Sequence, residues 1–311
     1  MSKAAIVSQI LPFSCVDGPG SRLVIFLQGC NYQCKNCHNP QTISLCDACG
    51  DCIEHCPQQA LSLINNSAVL KGEVASQQSN KQLTQLTHKS HIVWDSARCC
   101  ECDTCLAVCP TQSSPKTSHY TVEQMLEVIS RQRDFINGIT LSGGEASLQL
   151  PFVIELFKAI KSSAQLAHLN CMIDTNGSLG STGWHKLLPF LDGAMVDLKA
   201  WRPETHHTIT GRDNQAVFNS IELLAQHNKL YEVRLLHIPT VTDYDVEIDA
   251  LAAYINSLPM NTRIKLNAFH HHGVGKAALA WPQCTQADIE ALTAQLKQRG
   301  VSNIALPALY L

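Results

Sequence analysis

Neither sign of charge prevails in this chain, and no apolar run approaches the ~20 residues that a helix needs to span a bilayer. With 23 basic against 26 acidic residues and a formal net charge of −3, nothing favours a nucleic-acid groove or an anionic membrane as partner. The opening Met1-Ser2-Lys3-Ala4-Ala5-Ile6 lacks the long apolar stretch and small-residue cleavage site of a secretory leader. These absences point to a cytoplasmic protein. In that reducing compartment, closely spaced cysteines bind metals or do redox chemistry more often than they form disulfides. At 311 residues and 45% hydrophobic content, the chain can bury a full core, with one large domain and a small one as the natural expectation.

What the chain does have is cysteine. Of its 15 cysteines, all but Cys15, Cys100, Cys171 and Cys284 fall into three tight groups. The first is Cys30-x3-Cys34-x2-Cys37, three thiols with no fourth in step. The second is Cys46-x2-Cys49-x2-Cys52-x3-Cys56-Pro57, and the third repeats it as Cys99-x2-Cys102-x2-Cys105-x3-Cys109-Pro110. The repeated spacing is that of bacterial ferredoxins, where three cysteines serve one four-iron cluster and the fourth crosses to its neighbour. Applied here, Cys46, Cys49, Cys52 and Cys109 hold one cluster, Cys99, Cys102, Cys105 and Cys56 the other, and Cys100 is spare. A pair of zinc sites is the alternative, since C-x2-C is also zinc spacing. The first group can hold three irons of a cubane, leaving the fourth to a ligand from elsewhere; a spare cysteine such as Cys15 would instead make it a further relay.

The chain changes character along its length. Leu23–Leu27 is a continuous apolar run that reads as a buried strand just before the three-cysteine loop. Residues 46–112 carry the two four-cysteine runs and little amphipathic periodicity, so they read as a small insert held together by metal, with 65–92 a polar loop. Residues 1–45 and 113–311 form the main domain. From Thr121, a helix start with Val122, Met125, Leu126 and Ile129 on its apolar face, helices alternate with short strands near 139–141, 171–173, 194–198, 233–238 and 264–268, with a last short strand at 303–305. This pattern predicts an α/β fold, a partial (β/α)6 barrel with a parallel sheet. Polar motifs fall just past the strand ends, where such barrels place active sites. They are Ser142-Gly143-Gly144-Glu145, Asp174-Thr175-Asn176-Gly177, Asp197-Leu198-Lys199, Arg234 and His270. Gly143 and Gly144 allow close backbone approach, and Glu145 can accept from an ammonium group. Taken singly, Asp197, Lys199 and Arg234 also read as strand-end ion pairs, and His270 as part of a solvated turn.

C-x3-C-x2-C directly after a strand, with Ser-Gly-Gly-Glu after the next, resembles the radical S-adenosylmethionine (SAM) enzymes. Val16-Asp17-Gly18-Pro19-Gly20-Ser21-Arg22, Cys37-His38-Asn39-Pro40 and Met195-Val196-Asp197-Leu198-Lys199 extend the resemblance to the glycyl-radical-enzyme activating enzymes, whose best-known relative activates pyruvate formate-lyase. The double-ferredoxin insert, Thr210-Gly211-Arg212-Asp213-Asn214-Gln215 and the ending Pro307-Ala308-Leu309-Tyr310-Leu311 look closest to the YjjW-type activases. The resemblance implies an anaerobic oxidoreductase with three 4Fe-4S clusters and SAM. Cys30, Cys34 and Cys37 would ligate the SAM-cleaving cluster, and Gly143, Gly144 and Glu145 would bind the methionine amino group. Asp174, Thr175, Met195 and Asp197 match a monovalent-cation site. Lys199, Arg234 and His270 match positions near SAM, and Asp17 one near the peptide substrate. The implied partners are a glycyl radical enzyme and flavodoxin or ferredoxin as electron donor. Two other readings share parts of the pattern, a radical SAM enzyme acting on a small molecule or another peptide and, more remotely, a polyferredoxin-type carrier. Reconstituted protein is expected to hold about 12 irons by the three-cubane count, and iron analysis returning four or fewer would sink the insert assignment.

Overall fold

The computed structural model describes residues 4–64 and 90–307, and the chain divides into two compact units, Met1–Ile43 with His119–Leu311, and Ser44–Ser118. The larger unit is built on a nine-stranded sheet. Its strands are β1 (Ala4–Ser14), β2 (Arg22–Leu27), β3 (Ser118–Thr121), β4 (Gly138–Gly143), β5 (Asn170–Thr175), β6 (Gly193–Leu198), β7 (Leu230–His237), β8 (Arg263–Ala268) and β9 (Ile304–Ala305). Their order is β9-β8-β7-β6-β5-β4-β2-β1-β3. From β2 to β9 every neighbouring pair is parallel and follows chain order. The connections are helices: α1 (Val122–Gln132), α2 (Leu150–Ser162), α3 (Ser181–Leu187), α4 (Pro203–Thr210), α5 (Gln215–Gln226), α6 (Ile248–Ser257) and α7 (Gln286–Gln298). A sheet wound in one direction, with β3 and β9 left as edges, is an open partial barrel.

The local sequence accounts for most of these elements. The central strands are apolar on both faces because helices cover one side and the barrel interior the other, and Leu23, Val24, Ile25 and Leu27 of β2 are fully buried. Thr121 caps α1 with a reciprocal bond pair to Gln124, and Val122, Met125 and Ile129 point inward as the periodicity requires. Thr285 and Asp288 cap α7 in the same way.

β3 stands where no strand was expected, and two further elements differ from expectation. β1 pairs antiparallel with β2 through register shifts at Val7/Gln9 and Leu11/Ser14, and these irregularities break the period-two alternation that marks a strand in sequence. α4 has Pro203 in its first turn and ends at Gly211 with φ 79°, but the eight residues between carry too few apolar positions to show a helical stripe. The turn after β5 is anchored by Trp184 of α3. Its Nε1 donates to Ser220 Oγ of α5 at 2.8 Å, and that hydroxyl donates to the Gly177 carbonyl at 2.6 Å.

In the smaller unit, Leu61–Ile64 pairs antiparallel with His91–Trp94, and the one-turn helices Asp51–Glu54 and Thr104–Ala107 each carry a buried cysteine. Of the expected loop 65–92, residues 65–89 lie outside the described residues, while His91 and Ile92 belong to the hairpin and not to a loop. Among the described residues, the buried core here is Cys52, Leu61, Ile92 and Cys105. No described helix is long and apolar enough to cross a membrane.

Trp184→Ala is expected to destabilise the protein by about 3–5 kcal/mol in denaturant unfolding, through the cavity it leaves. Ser220→Ala, which strands the indole N–H, should cost about 1–3 kcal/mol. A Trp184→Ala effect no larger than that of Ser220→Ala would contradict this view of the turn.

Candidate metal centre and ligand cavity

The loop of three cysteines leaves β2 and is stitched down on both sides by backbone hydrogen bonds. Gly29 N–H donates to the Thr42 carbonyl at 2.8 Å and Cys30 N–H to that of Ile43 at 2.9 Å; Gln33 and Lys35 donate to the carbonyls of Thr210 and Ile209 at 3.1 and 2.9 Å. Burial pushes the thiol of Cys30 up to about 11 and that of Cys34 up to about 12, and it raises Cys37 as well. The three thiols are near enough that charge on Cys30 and Cys37 raises Cys34 further, while the Lys199 ammonium opposes the rise at all three. Tyr32 N–H points at Cys30 Sγ (3.4 Å), and Asn176 Nδ2 lies 3.9 Å from the same sulfur. Converging thiols, a cation and N–H groups aimed at sulfur are what a thiolate-bound cluster requires, so this donor set fits three irons of a cubane.

The strand-end motifs meet beside this loop. Glu145 is 1% exposed. Its Oε1 accepts from Ser147 N–H (3.0 Å) and Thr175 Oγ1 (2.8 Å), its Oε2 from Asn176 N–H (2.7 Å), and its own N–H donates to the Gly29 carbonyl (2.8 Å). Burial raises the pKa of this carboxyl, and the three donors act against that. A carboxylate has about four acceptor sites, so one more donor can be taken. The glycines also allow a close approach within the protein itself. A Cβ at Gly144 would stand 2.3 Å from the Gly29 carbonyl oxygen, and one at Gly143, where φ is +115°, 2.3 Å from the Leu27 backbone. The close approach they permit is to the start of the cysteine loop itself.

Further along the rim, Arg234 on β7 pairs with Asp174 at the end of β5 (2.9 Å) and with Glu232 (2.6 Å), and its Nη2 lies 3.0 Å from Met195 Sδ on β6. Lys199 pairs with Asp197 at 2.9 Å. Burial alone would raise Asp197, but Lys199 and Arg234 outweigh it and hold the carboxyl below its usual range. Asp174 stays raised by burial and by the nearby Asp197 charge, against the pull of Arg234. The strand-end ion-pair reading of these residues is thus realised. Yet Asp197, Lys199, Arg234 and His270 also line one cavity of about 430 Å³ with Asn36, His38, Lys265 and Asn267. These last four escaped the sequence reading as site residues. Lys265 and Asn267 left a usable signal: on β8 they alternate with buried Ile264 and Leu266, which marks a strand with a polar inner face. Asp17 stands apart, in the turn before β2, with its carbonyl accepting from Thr140 Oγ1 at 2.6 Å and its carboxylate from Ser14 Oγ.

In the smaller unit the two four-cysteine runs adopt one conformation twice. Matching residues Ala48 and Glu101 (φ 60° and 55°), Gly50 and Asp103 (92° and 56°), and Gln59 and Gln112 (49° and 53°) are all left-handed. Ala60 N–H donates to Cys56 Sγ and Ser113 N–H to Cys109 Sγ, both at 3.3 Å. Cys46, Cys49, Cys52 and Cys109 line one cavity, and Cys56, Cys99, Cys102 and Cys105 line another together with Cys100.

A family model described as the radical SAM superfamily matches residues 24–252. The chain belongs to the radical SAM superfamily. Its curated relatives include the 4-hydroxyphenylacetate decarboxylase activating enzyme of Clostridium scatologenes, 25% identical over 89% of this chain and 86% of that protein. The isethionate sulfite-lyase activating enzyme of Desulfovibrio desulfuricans is 26% identical over 87% and 85%. The choline trimethylamine-lyase activating enzyme of Oleidesulfovibrio alaskensis is 25% identical over 96% of each. The packing of glycine against the loop from Cys30 to Cys37 can be tested. Gly144→Ala is expected to lower iron content by about one cubane, ~4 irons, while Gly180→Ala, whose Cβ meets nothing within 4 Å, leaves it unchanged. Equal iron in both variants would refute the packing role of Gly144.

Proposed function

We propose that this radical SAM protein is an activating enzyme that installs a glycyl radical in a partner enzyme. The observation that carries the reading is the match to three activating enzymes over 87–96% of the chain, a span that takes in both four-cysteine runs. Cys30, Cys34 and Cys37 would hold the site cluster, and SAM would fill the place that a fourth cysteine leaves open. The group so held would supply the electron for reductive cleavage of SAM, and hydrogen would be taken from a backbone glycine of the partner.

The chain's own residues position that chemistry. The remaining acceptor site of Glu145 and the backbone around Gly143 and Gly144 suit the methionine ammonium. Lys199, Arg234 and Lys265 give the cavity a cationic wall that suits the SAM carboxylate, with His38 and His270, ring centroids 4.4 Å apart, on the same wall. A monovalent cation held by Asp174, Thr175, Met195 and Asp197 would have to share both carboxylates with Arg234 and Lys199. The two cavities of the smaller unit would each take a 4Fe-4S cluster, through Cys46, Cys49, Cys52 and Cys109 and through Cys99, Cys102, Cys105 and Cys56. These would receive electrons from a cytoplasmic flavodoxin or ferredoxin.

Anaerobic, reduced protein mixed with SAM and candidate glycyl radical enzymes should produce a glycyl EPR doublet on one of them. Cys34→Ala should abolish formation of 5′-deoxyadenosine. Cleavage that persists in Cys34→Ala would overturn the role of the loop; turnover of a small molecule, with no doublet on any candidate, would favour the other enzymatic reading.

A further inference from the structure

One cavity of the smaller unit holds a thiol more than a four-iron cluster needs. Cys100 lines it together with Cys56, Cys99, Cys102 and Cys105. Its position in the repeat is no accident of exposure, because the matching residue of the first run, Asp47, lines the other cavity in the same way. Asp47 offers a carboxylate there, and its Oδ1 accepts from Cys49 N–H at 3.2 Å. In the second run that place is taken by a sulfur. Cys102 lies at the exposed edge of the cavity and receives a hydrogen bond from Thr104 Oγ1 at 3.3 Å, while Cys100, also exposed, stands two residues before it on the same cavity.

We propose that Cys100 is a reserve ligand for the iron held by Cys102, and that the two sulfurs exchange on that iron. The inference rests on the ferredoxin reading of the insert. In the exchange, the bond from iron to Cys102 breaks as one from iron to Cys100 forms, and the Cys100 proton passes to the departing Cys102 sulfur. No electron moves and no further reactant is consumed. Glu101, left-handed at φ 55°, lies between the two and turns the chain so that both side chains reach the one cavity. The exposed corner of the cluster, where a ligand is most easily displaced or alkylated, is thereby the corner with a spare. Cys46, Cys49, Cys52 and Cys109 have no fifth thiol in their cavity.

The test is iron analysis and iodoacetamide mapping of the reconstituted full chain. Wild-type protein should hold about 12 irons. Under native conditions it should take one alkyl group in this loop, divided between Cys100 and Cys102, with Cys99, Cys105 and Cys56 protected. Cys102→Ala should keep its full iron and protect Cys100 until a chelator strips the metal, whereas Cys100→Ala/Cys102→Ala should lose about four irons. Alkylation confined to Cys100 in the wild type, loss of four irons in Cys102→Ala alone, or full iron in the double variant would each overturn the exchange. Wild-type protein holding only about four irons would overturn the ferredoxin reading first, and the reserve ligand with it.

Discussion

A buried carboxylate ties the catalytic end of the sheet together. Glu145 links the ends of three neighbouring strands, β2, β4 and β5, beyond their backbone pairing. Its N–H donates to the Gly29 carbonyl where β2 becomes the cysteine loop, and its side chain takes hydrogen bonds from Thr175 and Asn176 at the end of β5. Asn176 carries the connection onward, since its Nδ2 donates to Asn31 Oδ1 at 3.0 Å and approaches Cys30 Sγ. A carboxylate so far from water is tolerated only because several donors face it, and a change that removes the carboxylate strands all of them at once. This network of protein hydrogen bonds fixes the chain on both sides of Cys30, at Gly29 and Asn31, and so positions the start of the thiol loop.

The smaller unit follows the opposite logic. Its described core of two cysteines, one leucine and one isoleucine is too small to hold a fold by apolar burial. Five residues other than glycine there adopt left-handed backbone, a conformation that costs of order 1 kcal/mol or more each. The strained positions recur at matching places in both runs, so they belong to the wrapping of each loop round its cavity. On the proposed ferredoxin reading, metal binding would be the term that offsets them, as in small domains whose folding and ligation are one event. Neither run completes its own cavity, because Cys56 lines the second and Cys109 the first, and the two halves stand or fall together.

How much of this was legible in the sequence follows from where the information lies. Most of the parallel strands were legible as short apolar runs covered on both faces, with β8 showing instead as an alternation of apolar and polar residues. β1 was not, since two register shifts erase its alternation, and α4 was not, since Pro203 and Gly211 mark its ends but nothing marks its middle. The rim motifs were visible as residue types past strand ends. Their partners were not, because Arg234 meets Asp174 and Met195 from strands well separated in the chain. Gly143-Gly144 was legible only in part for a similar reason: two glycines beside a carboxylate suggest close approach, but that the Leu27–Gly29 backbone makes such an approach is visible only in the fold.

Charge in the cavity carries the last step. Arg234 is 8% exposed and stands between Asp174 and Glu232, with Arg263 on the far side of Glu232 at 3.4 Å. Lys199 is matched by Asp197, but Lys265 has no ion pair among the described residues: burial and the Arg234 and Arg263 charges lower its pKa, and Glu232 and Asp174 only partly oppose them. The wall thus presents more cation than its own carboxylates neutralise, and a buried excess of that kind is relieved when an anionic group enters. Arg234 cannot swing away to meet such a group, since releasing it would leave Asp174 and Glu232 buried and unpaired. Lys265 makes no ion pair among the described residues, so of the cavity's cations it is the one that an anionic group could engage without breaking an existing pair, whereas Arg234 and Lys199 are already held by Asp174, Glu232 and Asp197.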